Sequence, residues 1–258
     1  MRSPFFIGIH KAWAYHLGQS GGQMTAQGIR IEAAEYAVAG KVILSEIDLH
    51  LTESRIGIVG QNGSGKTTLL RLMAGLILPS KGKVVVEGAD PNDRRAMLAL
   101  VGILFQNPDH QVLFPTVDEE LAFGLRQTGR RRAEAEAMVT ARLAAEGRAH
   151  WAGLSTQALS QGQRQYLCLL AILMMEPRTI LLDEPFASLD LPTRARLARR
   201  LNALPQRLIT ISHDPEAVAA CERVIWIEAG RVLADGPAAD VLPAFTAEMA
   251  RIGGIDAC

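Results

Sequence analysis

A glycine-rich stretch at residues 60–68 has the residue types and spacing of a phosphate-binding loop. The pattern G-x-x-x-x-G-K-[ST] is matched by Gly60, Gly65, Lys66 and Thr67. Glycines let backbone N–H groups approach phosphate oxygens, Lys66 adds a positive charge for the β- and γ-phosphates, and the Thr67 hydroxyl can ligate Mg²⁺. The residues predicted to bind a nucleoside triphosphate are Gly60, Gln61, Asn62, Gly63, Ser64, Gly65, Lys66, Thr67 and Thr68.

The residues on either side support this interpretation. Arg55–Val59 has the apolar character of a short strand, and 67–74 has that of a helix whose N-terminus faces the loop. A helix N-terminus attracts anions through its free N–H groups and its dipole. The alternative is a glycine-rich turn that binds nothing, and the agreement of motif, strand and helix disfavours it.

Two adjacent carboxylates follow a second apolar run. Residues 179–182 lack alternation, which is typical of a buried parallel strand, and they end in Asp183 and Glu184. A carboxylate in this place holds Mg²⁺ in phosphate-loop NTPases, so Asp183 is the predicted metal ligand. Glu184 is placed to polarise an attacking water. Alone, the pair is also compatible with a simple acidic turn, but a phosphate loop in the same chain favours nucleotide chemistry.

A third stretch, Leu-Ser-Gln-Gly-Gln at 159–163, opens the most apolar run of the chain. Ser160 can cap the helix that begins there. A capping serine followed by Gly162 also makes an anion site at a helix N-terminus, which would serve a phosphate on another molecule. The stretch by itself is compatible with both roles.

Composition excludes some classes of protein. Lys and Arg number 27 and Asp and Glu number 27, which disfavours a non-specific nucleic-acid binder. Cys168, Cys221 and Cys258 have no metal or redox spacing, which is typical of reduced thiols, and Cys168 is expected in the core. No apolar run reaches roughly 18 residues, so no membrane span is expected. Residues 1–28 lack a secretory signal and are expected to form a disordered tail; the alternative for the residues before Met24 is that they precede the true start.

Apolar periodicity predicts alternating strands and helices, and hence an α/β fold with a mainly parallel sheet. A mostly helical insert at about 107–160 is a candidate subdomain within a domain spanning 29–236, and 237–258 is expected to be a short C-terminal tail. The predicted strands are 29–32, 43–51, 55–59, 84–86, 98–105, 179–182, 207–212, 224–227 and 231–233, the last two forming a hairpin; the predicted helices are 67–74, 117–125, 133–145, 162–175, 194–204 and 215–221.

Five motifs in a fixed order resemble the nucleotide-binding subunit of an ATP-binding cassette (ABC) transporter. They are the phosphate loop, Gln106, the signature segment 159–163, the strand ending in Asp183 and Glu184, and Ser188-Leu-Asp190 followed by His213. The resemblance covers roughly 29–236 and implies an ATPase with a P-loop NTPase core, an antiparallel β subdomain and a helical subdomain. One departure is Gln161, where the family usually has glycine; the site is still expected to work.

The resemblance also implies a head-to-tail homodimer. Each ATP would lie between one phosphate loop and the Ser160, Gly162 and Gln163 of the second copy. It further implies that His213 contacts the γ-phosphate and that Gln106 contributes to catalysis and to the Mg²⁺ site. Tyr36 is the candidate for stacking on adenine; the alternative is that its ring packs locally.

The stretch 105–124 resembles the ATPases of energy-coupling-factor importers for vitamins and for cobalt or nickel. In that family a groove here receives helices of a membrane coupling subunit, which works with a substrate-binding membrane subunit. Val112, Leu113 and Phe114 suit such a groove, and their alternative is packing inside the helical subdomain. The short chain after Gly236 resembles the biotin-type ATPase, with cobalt or nickel as the alternative cargo.

Two other classes compete with the importer. Soluble ABC ATPases of DNA repair or translation usually have two cassettes, long inserts or basic surfaces, whereas this chain has one phosphate loop and zero net charge. An exporter ATPase is disfavoured by the run 107–111. The expected protein is a peripheral subunit on the cytoplasmic face of the membrane that uses ATP and Mg²⁺ and binds no nucleic acid.

Overall fold

The computed structural model describes residues 28–255, which form two sheets and seven α-helices. The strands are β1 (Ile29–Val38), β2 (Lys41–Leu51), β3 (Arg55–Val59), β4 (Lys81–Val86), β5 (Val101–Leu104), β6 (Thr179–Asp183), β7 (Arg207–Ile211), β8 (Arg223–Glu228) and β9 (Arg231–Gly236). The helices are α1 (Lys66–Met73), α2 (Arg94–Leu100), α3 (Val117–Gln127), α4 (Arg132–Ala145), α5 (Gln161–Met174), α6 (Leu191–Asn202) and α7 (Ala238–Ile255).

The larger sheet has the strand order β5-β6-β7-β3-β8-β9. Its first five strands run parallel, and β9 pairs antiparallel with β8 in the predicted hairpin. In β3 and β6 almost every residue is buried, as expected for strands covered on both faces. The carboxyl ends of β3, β5, β6 and β7 therefore meet at one edge, which is where open α/β sheets bind ligands.

The smaller sheet is antiparallel, with the order β2-β1-β4. Its apolar side chains share one core with α1 and with the central strands of the larger sheet; for example, Ile31 and Leu44 are in the same cluster as Leu69 and Ile58. This shared core holds the antiparallel sheet against the beginning of α1. The predicted fold class is confirmed.

The helices of the predicted subdomain form a core of their own. Val117 and Leu121 of α3, Val139 of α4 and Leu170 of α5 belong to one cluster, so this packed unit extends beyond the predicted boundary at 160. Cys168 of α5 is buried, as expected, and burial raises the pKa of its thiol to about 12.

Two predicted elements need correction. The run 98–105 was expected to be one strand, but α2 continues to Leu100 before β5 begins. The Asp93 carboxylate accepts from the N–H groups of Arg95 and Ala96 and so begins this helix, and a short apolar run does not distinguish helix from strand. The predicted helix at 215–221 is only a 3₁₀ turn, Pro215–Val218.

The predicted C-terminal tail is also different, because most of it forms the 18-residue helix α7. Phe245 is buried on the large sheet, where its ring centroid lies 5.4 Å from that of Trp226. Within residues 28–255, no helix is both long enough and apolar enough to cross a membrane. Residues 1–27 of the predicted N-terminal tail, which include Met24, and Cys258 lie outside the described residues.

Candidate nucleotide-binding site

The phosphate loop connects the end of β3 to the start of α1, as predicted. Gly60 has φ +155°, and a Cβ atom there would lie 2.1 Å from the Ile227 carbonyl oxygen of β8. Gly65 has φ +106° and lies under the side chain of Leu44, whose Cδ2 would be 2.8 Å from an added Cβ. Both positions therefore exclude a side chain, and the loop is held tightly between the two sheets.

The beginning of α1 offers donors to an anion. Its N-cap is Gly65, which has no side chain to occupy the first N–H groups of the helix. The Ser64 hydroxyl is buried and has no hydrogen-bond partner among residues 28–255. The Lys66 ammonium donates to the carbonyl oxygens of Gly60 at 2.6 Å and Gln61 at 2.7 Å. Burial lowers the pKa of Lys66, and the carboxylates of the site oppose that shift.

Asp183 lies at the end of β6, on the edge of the sheet that also carries the phosphate loop. Burial raises the pKa of its carboxyl, and the neighbouring Glu184 raises it further, while Arg71 and Lys66 act in the opposite direction. A nearby cation would stabilise the charged form of this half-buried carboxylate.

Glu184 has an unusual backbone conformation and a fully engaged carboxylate. Its φ of +47° lies in the left-handed region, and its N–H donates to the Ile211 carbonyl at 2.9 Å. The Ser212 hydroxyl donates to Oε2 at 2.9 Å, and the His213 N–H donates to Oε1 at 2.8 Å. His213 Nδ1 lies 2.7 Å from the same Oε1. The fold thus brings together Glu184 and His213, two residues that are far apart in the sequence.

Gln106 follows β5, the neighbour of β6, so it lies beyond the same edge of the sheet as Asp183. Its side chain is exposed, but the backbone before it is fixed. Gln111 accepts from the Phe105 N–H at 3.0 Å and donates to the Ile103 carbonyl at 3.0 Å. The buried Gln165 of α5 donates to the Phe105 carbonyl at 3.2 Å.

Ser160 caps α5 in a complete capping box. The Gln163 N–H donates to Ser160 Oγ at 3.3 Å, and the Ser160 N–H donates to Gln163 Oε1 at 2.8 Å. A Cβ atom at Gly162 would lie 2.5 Å from Thr193 Cγ2, so this glycine also allows α5 to approach α6. The capping alternative is confirmed. Within the described chain, neither Ser160 nor Gln163 hydrogen-bonds to the phosphate loop.

Tyr36 lies opposite Leu44 in the β1–β2 pair. Directly opposed residues of antiparallel strands project from the same face of a sheet, and Leu44 covers Gly65. Tyr36 is therefore on the face that lies above the phosphate loop. Its ring is half-buried and packs against the shared core.

Comparison with known proteins agrees with this geometry. Residues 44–187 match the family described as ABC transporter. The chain belongs to this family.

The chain is therefore an ABC transporter ATPase, which binds and hydrolyses ATP. It is 51% identical to the biotin transport ATP-binding protein of Rhodobacter capsulatus, over 85% of this chain and 94% of that protein. The corresponding protein of Rhizobium etli is 40% identical, over 83% and 96%. The solved structure of cbiO1 from Clostridium perfringens, part of the ABC transporter complex cbiONQ, matches with a TM-score of 0.71 at 26% identity, over 89% of this chain and 98% of that one. The resemblance to ATPases of this type is confirmed.

Sequence reasoning missed a contact that holds the ABC ATPase site from its C-terminal side. The turn between β8 and β9 places the Gly230 N–H 2.9 Å from the Ser64 carbonyl, to which it donates. The Gly230 carbonyl accepts from the Ser45 N–H of β2 at 2.9 Å. One glycine therefore joins the phosphate loop to the antiparallel sheet. The dipeptide Ala229-Gly230 signalled the turn, but nothing local indicated its partners.

Proposed function

We propose that this chain is the ATP-hydrolysing motor of an energy-coupling-factor importer that takes up biotin. The 51% identity to the biotin transport ATP-binding protein of Rhodobacter capsulatus, over nearly all of that protein, carries the proposal. The subunit acts as a peripheral protein on the cytoplasmic face of the membrane. Biotin itself is bound by a separate membrane subunit.

The phosphates lie in the loop 60–68, where backbone N–H groups, the buried Ser64 hydroxyl and the third N–H of the Lys66 ammonium are available as donors. The oxygen ligands beside the loop fit Mg²⁺, which prefers oxygen. They are the hydroxyl of Thr67, the carboxylate of Asp183 and the amide oxygen of Gln106. A bound cation favours the charged form of Asp183, whose pKa is raised by burial. When bound, Mg²⁺ neutralises charge that develops on the phosphates.

Glu184 polarises the water that attacks the γ-phosphate. Its side chain is only 13% exposed, and Ser212 and His213 fix both of its oxygens, so the carboxylate is oriented before the nucleotide arrives. His213 is 60% exposed and turns Nδ1 towards Glu184. Its Nε2 is therefore the ring nitrogen that contacts the γ-phosphate. Tyr36, on the face above the loop, stacks on the adenine.

The second half of each ATP site comes from another copy of the chain. The capping box uses the Ser160 Oγ and the Gln163 N–H, but it leaves the Ser160 hydroxyl proton and the N–H groups of Gln161 and Gly162 for an external acceptor. In a head-to-tail homodimer these donors meet the γ-phosphate bound by the opposite subunit. The Gln163 side chain holds them in place.

The membrane coupling subunit contacts the loop that follows Gln106. Leu113 is 68% exposed there, whereas Phe114 packs on Phe123 with ring centroids 5.0 Å apart, and Val112 packs on the core. The buried Glu120 accepts from the N–H groups of Leu113 and Phe114 and fixes the loop. Leu113 therefore carries the docking contact, and its two neighbours support it.

Uptake of labelled biotin, cobalt and nickel by the reconstituted complex tests the proposed function. Biotin should accumulate in an ATP-dependent way, and Lys66→Ala should abolish uptake while the control Lys41→Ala, at an exposed position of β2, retains it. Uptake of cobalt or nickel without uptake of biotin would show that the transported substrate is a metal ion. Failure of any membrane subunit to co-purify would instead indicate a soluble ABC ATPase.

A further inference from the structure

The first turn of α6 contacts the part of the site that carries His213. Arg194 Nη2 donates to Asp214 Oδ2 at 2.8 Å, and Asp214 directly follows His213. The same guanidinium lies over the ring of Phe186, 5.6 Å from its centroid, and Phe186 is two residues beyond Glu184. Arg194 thus touches both segments that hold the residues assigned to water attack.

Hydrogen bonds continue from Asp214 to the carboxylate of Glu184. The Asp214 N–H donates to Ser212 Oγ at 3.1 Å, and the Ser212 hydroxyl donates to Glu184 Oε2 at 2.9 Å. The other carboxylate oxygen of Asp214 caps the turn at Glu216. A displacement of Asp214 would therefore move Ser212 and His213, the two residues that orient Glu184.

The same turn of α6 also contacts the signature segment. Thr193 Cγ2 lies against Gly162, and Asp190 caps the helix by accepting from the Thr193 N–H at 2.8 Å. Two consecutive side chains, Thr193 and Arg194, consequently reach the N-terminus of α5 and the segment of His213. The N-terminus of α5 carries the donors proposed to meet the ATP of the opposite subunit. The segment of His213 carries residues proposed to act on the ATP of the same subunit.

We propose that Arg194 is a positioning residue for ATP hydrolysis, which holds Asp214 and thereby the orientation of His213 and Glu184. Through Thr193 the same turn of α6 also contacts the signature segment. Closure of the dimer on that segment therefore changes the orientation of His213 and Glu184. Both statements rest on the roles proposed above for Glu184 and His213, and only the second requires a dimer. The Arg194 and Asp214 side chains are 31% and 33% exposed, and a pair this accessible contributes little to folding stability.

Steady-state ATPase measurements on Arg194→Met, Arg194→Lys and Arg199→Met test the proposal. Arg199 is the matched control, because it is an exposed arginine of the same helix with no ion pair among residues 28–255. Arg194→Met should lower kcat roughly tenfold or more, since a small misplacement of a reacting group is costly, while the KM for ATP and the Tm stay close to wild type. Arg194→Lys, which keeps the charge facing Asp214, should have a higher kcat than Arg194→Met.

Two results would overturn the proposal. One is a kcat of Arg194→Met equal to that of Arg199→Met. The other is a joint loss of kcat, ATP affinity and Tm that Arg194→Lys does not relieve, which would make the residue merely structural. Size-exclusion chromatography of Glu184→Gln with ATP separates this from the proposed function. Absence of a dimer there would remove the two-subunit site but would leave the kcat comparison valid.

Discussion

The N-termini of α1 and α5 are both expected to meet phosphate, yet they are built differently. Gly65 begins α1 in a left-handed conformation and provides no capping side chain. Ser160 and Gln163 begin α5 with a complete capping box. Behind α1 lie a buried lysine and a buried serine hydroxyl, whereas the residues that cap α5 are exposed.

This difference shows which of the two helix N-termini has its N–H groups satisfied within the subunit. The first turn of α5 is stabilised within the subunit, because a capping box satisfies two N–H groups reciprocally. The first turn of α1 depends on a ligand for the equivalent interactions. We infer that one subunit binds ATP mainly through the α1 side, and that the α5 side acts only when a second copy brings a phosphate to it.

Two substitutions, Gly162→Ala and Asp183→Asn, test this contrast, and Gly162→Ala is expected to change the Tm more. The added methyl would stand 2.5 Å from Thr193 Cγ2. Overpacking of this kind costs about 1–3 kcal/mol of folding stability, and turnover should fall as α5 shifts. Thr193→Ser removes the obstructing methyl, so the double variant should recover both Tm and kcat, because alanine keeps the N–H of residue 162. Thermal melts and ATPase rates check this.

A double variant with normal Tm but no turnover would contradict that expectation. It would mean that Gly162 is needed at the phosphate for its missing side chain, and not only for the approach of α5 to α6. Thr193→Ser alone is the control for stability, and its Tm should resemble that of the wild type.

Asp183→Asn should change the Tm less than Gly162→Ala does, and it probes the α1 side in the absence of nucleotide. Because the folded-state pKa of Asp183 is raised, its contribution to stability is complete below the unfolded value of about 3.9 and is lost as the pH rises through the folded value. At pH 7.5, without nucleotide, the ionised carboxylate therefore destabilises the fold. Asp183→Asn should raise the Tm by on the order of 1–3 °C, and this gain should vanish as the pH falls towards 4.

Thermal melts across that pH range, in the absence of ATP and Mg²⁺, provide the measurement. Asp240→Asn is the control, because Asp240 is exposed in the first turn of α7 and should give no gain. A lower Tm for Asp183→Asn at pH 7.5 would show that the charge stabilises the ligand-free site.

The phosphate loop, β3 and β6 were predictable because their signals are local. The glycine spacing at Gly60 and Gly65 reflects close contacts with Ile227 and Leu44, and an apolar run ending in Asp183 marks a buried strand. The sequence predicted that Ser160 caps a helix, binds an anion, or both, and the hydrogen bonds with Gln163 show the cap.

Contacts between distant segments were not predictable from one sequence. Nothing near Arg194 indicates Asp214, and nothing near Gly230 indicates Ser64, because these pairs arise from strand order in the large sheet. The helix α7 was missed for a different reason. It contains Pro243, which normally disfavours a helix interior, and the burial of Phe245 on the sheet overrides that preference.

Mixing two inactive variants tests the composite ATP site most directly. Glu184→Gln lacks the water-activating group, and Ser160→Arg blocks the signature segment, so each alone should turn over at least about 100-fold more slowly than wild type. In a head-to-tail dimer of the two, one site combines an intact Glu184 with an intact Ser160. Random pairing should therefore restore roughly a quarter of wild-type turnover. A mixture as inactive as its components, or normal turnover of Ser160→Arg alone, would contradict the two-subunit site.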